Sequence, residues 1–196
     1  MNRTTWATGL CLLVLGVVVS GAIAQSDETA IEERLIAFTQ QLRMGLTLAT
    51  VAAYSPTFGD LRLHAQQLVN LLEGSRGKHF VRPAPSGSEI TGLLVDVAAL
   101  AVRFEAPSID PGTRGVIDDA LKNVRTYLTF ALETALTALE ERRIDRASTE
   151  MLRAYAYLLA AYEKPCDAAY VPAMWTILRA FGLTVPVQEE TGSREG

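Results

Sequence analysis

Apolar residues recur along this chain at intervals of three and four, and strand-like alternation is hard to find. Ile31, Leu35, Phe38, Leu42, Ala49 and Ala53 share one stripe, which predicts a helix from about Asp27 to Tyr54. Ser26 or Asp27 can cap it, and Glu28, Glu32 and Glu33 suit the positive end of its dipole. From Met44 to Ala53 the pattern is apolar on nearly every face, which predicts the most buried stretch of a bundle. Gly45 and Ala49, four apart, predict the close approach of a neighbouring backbone. Ser55-Pro56 breaks the chain. A second helix, Phe58 to Glu73, turns Leu61, Ala65, Leu68 and Leu72 to one side and Arg62, Gln66, Asn70 and Glu73 to the other, with Gly74 placed to end it in left-handed backbone.

Ser75 to Ser88 carries Gly77, Pro83, Pro85 and Gly87 and reads as a loop. A third helix comes next, with Ser86 or Ser88 as cap, Glu89 in its first turn, and Ile90, Leu93, Leu94, Val97, Leu100, Ala101 and Phe104 as its apolar positions; Pro107 stops it, and Asp110-Pro111-Gly112 predicts a turn. From Val116 to Lys164 there is neither glycine nor proline, and Ile117, Leu121, Val124, Leu128, Ala131, Ala135 and Leu139 keep helical spacing. One helix of that length would run about 70 Å at 1.5 Å per residue, too long for a domain of this size. The break is therefore placed between Glu141 and Ser148, where the stripe lapses into Glu141-Arg142-Arg143-Ile144-Asp145-Arg146. Met151, Leu152, Tyr155, Leu158, Leu159 and Tyr162 mark a fifth helix. Val171, Met174, Trp175 and Leu178 mark a last one, beginning at Asp167 or Pro172 and ended by Gly182. These elements predict an all-α fold, an up-and-down helical bundle of four long helices plus one or two shorter C-terminal helices. No repeat of solenoid period is present.

The N-terminus stands apart from that pattern. Arg3 precedes an apolar run from Leu10 to Val19, and Ala22-Ile23-Ala24 supplies the small-x-small ending of a secretory signal. Residues 1–24 are expected to be a signal peptide, leaving Gln25 as the first mature residue; the rival expectation is an uncleaved membrane anchor over Trp6 to Ala24. Residues 25–186 then form the bundle domain and residues 187–196 a disordered acidic tail. Export, to the periplasm or the exterior, changes the meaning of the two cysteines. Cys11 leaves with the signal, so Cys166 has no intramolecular partner. It is either a small buried residue beside Pro165 or the link of a disulfide-joined homodimer.

Composition narrows the function classes. The chain has 196 residues, is 49% hydrophobic and 20% charged, and carries a formal charge of −4. Such a chain can build a core, which excludes an acidic disordered protein, and it has no basic excess for binding nucleic acid. No Gly-x-Ser-x-Gly occurs and there are only two histidines, so a hydrolase is not expected. No cofactor is expected either. Asp60 and His64, four apart, adjoin on one helix face and could offer two ligands to a metal, or a carboxylate to orient an imidazole. The Glu-x-x-His pattern of bundle metal sites is missing. In the loop, which holds no acidic residue, Arg76, Lys78, His79 and Arg82 form a basic segment, a candidate site for an anionic headgroup, a cell-wall polymer or an acidic protein. Arg142, Arg143 and Arg146 are placed to offset a helix dipole, and Tyr155, Tyr157, Tyr162, Tyr170 and Trp175 make the C-terminal third aromatic.

The stretch from Asp60 to Gly74, with His64-Ala65, then Val69-Asn70-Leu71, then Gly74, resembles an early helix of exported bacterial helix-bundle proteins of uncharacterised function. It is similar, more distantly, to helical domains of periplasmic iron-uptake proteins. The resemblance covers about fifteen residues; it implies an exported bundle and a special role for His64. The expected function is therefore that of a non-catalytic, exported bundle binding a protein or cell-envelope component, touching membrane only through an uncleaved N-terminus. The alternative is a metal- or haem-binding bundle that uses His64.

Overall fold

Helix-breaking and helix-capping residues decide where this chain turns. The computed structural model describes residues 6–82, 91–104, 109–162 and 171–183, with side chains from residue 29 onward. They form an all-helical protein with six helices and no strand among the described residues: α1 (Trp6–Ala53), α2 (Phe58–Glu73), α3 (Leu93–Arg103), α4 (Pro111–Glu140), α5 (Ile144–Tyr162) and α6 (Met174–Ala180). The chain divides into two units, Met1–Leu35 and Ile36–Gly196. In the first, the described backbone is helical from Trp6, so α1 begins well before the expected Asp27. The side chains of the expected signal lie outside the described residues. Among the described residues, no helix is long and apolar enough to cross a membrane.

In the second unit α4 is the hub, packing against α2, α3, α5 and α6. Its start corrects the sequence reading, because Asp110-Pro111 opens a helix instead of making a turn. Asp110 Oδ1 accepts from Gly112 N at 2.9 Å and Thr113 N at 3.3 Å, and Pro111 needs no donor in a first turn. Hydrogen bonds from Thr113 and then Gly112 hold the Asp110 carboxyl below its ordinary range, with Arg114 adding to them. The helix ends where the stripe lapses. Arg143 grips Asp145 through two bonds, 3.1 and 2.7 Å, which lowers the Asp145 carboxyl in the first turn of α5. Arg62 of α2 lies over the Phe58 ring and donates to the Glu141 carbonyl at 3.2 Å, tying α2 to this turn.

Along α4, Ile117, Leu121, Val124, Leu128, Ala131, Ala135 and Ala138 are buried at alternating intervals of four and three. Along α5 the buried set is Ala147, Met151, Ala154, Leu158 and Ala161, with the same spacing. That is the seam of coiled-coil-like packing. It rotates α5 away from the sequence reading: Leu152 is 43% exposed, and Tyr155, Leu159 and Tyr162 are only partly buried. In α4, Ala138 takes the buried place expected of Leu139. Alanine is weakly hydrophobic by size but fits wherever two helices lie close, so a stripe drawn through large side chains misses it.

Three further expectations are corrected. The helix α3 starts at Leu93 with Gly92 at its N-cap and no side-chain cap, so neither Ser86 nor Ser88 caps it; residues 83–90 lie outside the described residues. In α1, Phe38, Leu42, Ala49 and Ala53 are buried as expected, but Met44, Val51 and Tyr54 are 57%, 43% and 75% exposed, so the stretch apolar on all faces is covered on one face only. Gly45 faces side chains first: Leu68, Leu71 and Leu158 each lie 3.6 Å from where a Cβ would stand, an ordinary contact distance, so what comes nearest is leucine side chains and not a backbone. At the C-terminal end, Asn123 donates to the Pro172 carbonyl at 3.0 Å, Phe181 packs on Phe104, and Gly182 ends α6 as expected. Cys166, Tyr170 and the tail 187–196 lie outside the described residues.

Candidate functional site

The polar edge of α2, which its sequence assigns to the outside of the helix, carries a strap. Gln66, Asn70 and Glu73 lie along one side of the helix, one or two turns apart, and each hydrogen-bonds the chain beyond Gly74. Gly74 makes this possible: its φ of 75° and ψ of 179° form backbone that only glycine adopts without strain, while its N–H still caps the Asn70 carbonyl at 2.8 Å. The chain then doubles back, with Gly77 N donating to Gly74 O at 2.9 Å.

Three side chains fix the segment from His79 to Val81. Glu73 accepts from His79 N through Oε2 and pairs with His79 Nδ1 through Oε1, both at 2.7 Å. Gln66 Nε2 donates to the His79 carbonyl at 2.8 Å. Asn70 then pairs with Val81 as a neighbouring strand would, Nδ2 donating to the Val81 carbonyl at 2.7 Å and Oδ1 accepting from Val81 N at 3.0 Å. Asn70 is 7% exposed and the Glu73 side chain 10%, so these are polar groups buried with their partners supplied. The far end of the segment is held as well. Thr91 forms an isolated antiparallel bridge with Gly74, and Gly92 sits so close to Glu73 that a Cβ there would run into the Glu73 backbone.

Of the four basic-loop candidates, His79 thus belongs to the clamp. Arg76, Lys78 and Arg82 are exposed. Arg76 also borders a cleft of about 360 Å³ lined by Glu73, Gly74, Ser75, Thr91, Gly92 and Val95. Glu73, whose carboxylate holds the strap, is turned inward onto His79, so the outward charge of the strap is positive on a chain of net charge −4.

Asp60 and His64 are placed differently. Thr57 caps α2 by accepting from Asp60 N at 3.1 Å, and its hydroxyl donates to Asp60 Oδ2 at 2.7 Å. The Asp60 carboxylate is thus engaged by the capping residue at the helix start. His64 is partly buried, and its Nδ1 pairs with Gln67 Oε1 at 3.0 Å. Each is engaged within its own turn of α2. Among the described residues no group of three or more His, Cys, Asp or Glu side chains is arranged to hold a metal ion. The three arginines near the α4–α5 turn are all exposed, and Arg143 is bound to Asp145. Tyr157 packs against Phe130 with tilted rings, centroids 5.3 Å apart, across α4 and α5.

The residues that sequence reasoning missed are the holders of the strap, Gln66, Asn70 and Glu73. Their signal was present in their spacing, since three hydrogen-bonding side chains line one helix edge directly before a glycine-punctuated segment. No protein-family model, no curated protein and no solved structure matches this chain.

Proposed function

We propose that the chain is a non-catalytic, exported helical bundle that binds an anionic protein or cell-envelope component through Arg76, Lys78 and Arg82. One observation carries this reading: the cations stand on a segment already fixed by Gln66, Asn70 and Glu73. A fixed cationic edge loses less conformational freedom on binding than a loose loop does, and it concentrates positive potential at one place on an acidic protein. The bundle serves as its scaffold. We take α1, α2, α4 and α5 to run up and down, with α3, expected among the long helices, as a short one of 11 residues between α2 and α4, because the α1–α2 and α4–α5 connections are short and Arg62 of α2 bonds the α4–α5 turn. Export rests on the Arg3, apolar-run and Ala22-x-Ala24 pattern, and N-terminal sequencing of exported material should find Gln25 first.

The test is salt-dependent retention on immobilised polyglutamate. The combined Arg76→Ala, Lys78→Ala and Arg82→Ala variant should lose most of its retention. Arg142→Ala with Arg146→Ala, which removes exposed cations from the α4–α5 turn, should keep it. Equal elution of the two variants would defeat the reading.

A further inference from the structure

We propose that α1 is a dimerisation helix, whose exposed face from Ala37 to Tyr54 pairs antiparallel with the same face of a second copy of this chain. The face consists of Ala37, Gln40, Met44, Thr47, Val51 and Tyr54, every one exposed, at successive intervals of 3, 4, 3, 4 and 3 residues. That is the heptad seam by which one helix receives another, and it is the spacing already used for the buried positions of α4 and α5. In α4 and α5 the seam is covered. On α1 it is open, and its large apolar side chains Met44, Val51 and Tyr54 are 57%, 43% and 75% exposed along one stripe. Exposed apolar side chains gathered on one face mark an interaction surface.

Charge and shape favour a second copy as the cover. From Leu35 to Gly59 the only charged residue is Arg43, which lies off the seam. A partner matched to this face must itself be uncharged over some five turns, as the face itself is. A two-fold axis between Met44 and Thr47 sets Met44 opposite the partner's Thr47, Gln40 opposite the partner's Val51, and Ala37 opposite the partner's Tyr54. The smallest seam residue thus meets the largest, and Arg43 falls opposite the partner's Leu48 instead of another arginine. Such an interface is isologous and closes at two copies. The exposed seam and its flanks would bury about 1,000 Å² in total, at the lower edge of specific interfaces. Antiparallel pairing sends the two N-termini in opposite directions, so it belongs to the chain with its signal removed.

Sedimentation equilibrium of the exported chain, in reductant so that no Cys166 disulfide contributes, tests this directly. A reversible monomer–dimer equilibrium is expected. Met44→Lys should weaken it by about a hundredfold through a buried unpaired charge, with the circular dichroism of the dilute monomer unchanged. Val51→Glu should do the same, and adding Gln40→Lys to Val51→Glu should restore association, because only the antiparallel register sets those positions opposite each other. The proposal is overturned by a chain that stays monomeric at every concentration, or by a dimer indifferent to Met44→Lys. Failure of the paired charges to rescue overturns the antiparallel register, and a monomer that binds neutral phosphatidylcholine vesicles through these residues would make lipid the cover.

Discussion

The outer face of α1 and the polar edge of α2 are inverses. The first is built from Met44, Val51 and Tyr54 and lies open; the second is built from Gln66, Asn70 and Glu73 and lies largely closed under the strap. Residue type therefore did not decide which surface was covered. What decided it was whether an element with matching groups lay next in the chain. Asn70 is buried because the peptide of Val81 satisfies both ends of its amide, and burial of a polar group with its partners costs little. Met44 is open because no described element of the same copy is placed over it.

Four substitutions probe this contrast. Leu68→Ala, on the buried side of α2 and in contact distance of Gly45, should destabilise the chain by about 2–5 kcal/mol in denaturant unfolding, the cost of a core cavity. Asn70→Ala comes next at about 3 kcal/mol, since it removes the two bonds to Val81 and the one from Gln66, each worth about 1 kcal/mol. Hydrogen exchange at the Val81 amide should accelerate in parallel; an unchanged amide would show that the strap does not depend on this clamp. Gly74→Ala should cost about 2 kcal/mol for a side chain forced into glycine-only backbone, read as a lowered thermal midpoint. Met44→Gln, measured on dilute monomer, should stay within about 0.5 kcal/mol of the parent, as an exposed substitution does. A large loss there would mean that the α1 face supports the monomer and is not open.

Much of the helical framework was legible because helix periodicity and punctuation are local. The range of α2 came directly from Pro56 and Gly74, and the α4–α5 break from the charged run after Glu140. Rotation about the helix axis was less legible. Leu152 and Leu159 outweigh Ala154 and Ala161 in any hydrophobicity count, yet the alanines hold the seam because the distance between helices, a property of the whole packing, selects small side chains. The loop cations were found as a group, but the division of labour among them was not. Whether His79 is displayed or clamped depends on Glu73, which belongs to the preceding helix and reaches it only once Gly74 has turned the chain. For Asp60 and His64, a spacing of four guaranteed a shared face but not a shared task. Nearer partners, Thr57 and Gln67, took each side chain.

The bridge between Gly74 and Thr91 brings both ends of the intervening segment to one point beside α2. Closing a longer loop between two ends already fixed adds only about 0.6 kcal/mol per doubling of its length. Between the clamp at Val81 and the bridge at Thr91, residues can thus be added or lost over generations with little effect on the helices that hold the two ends.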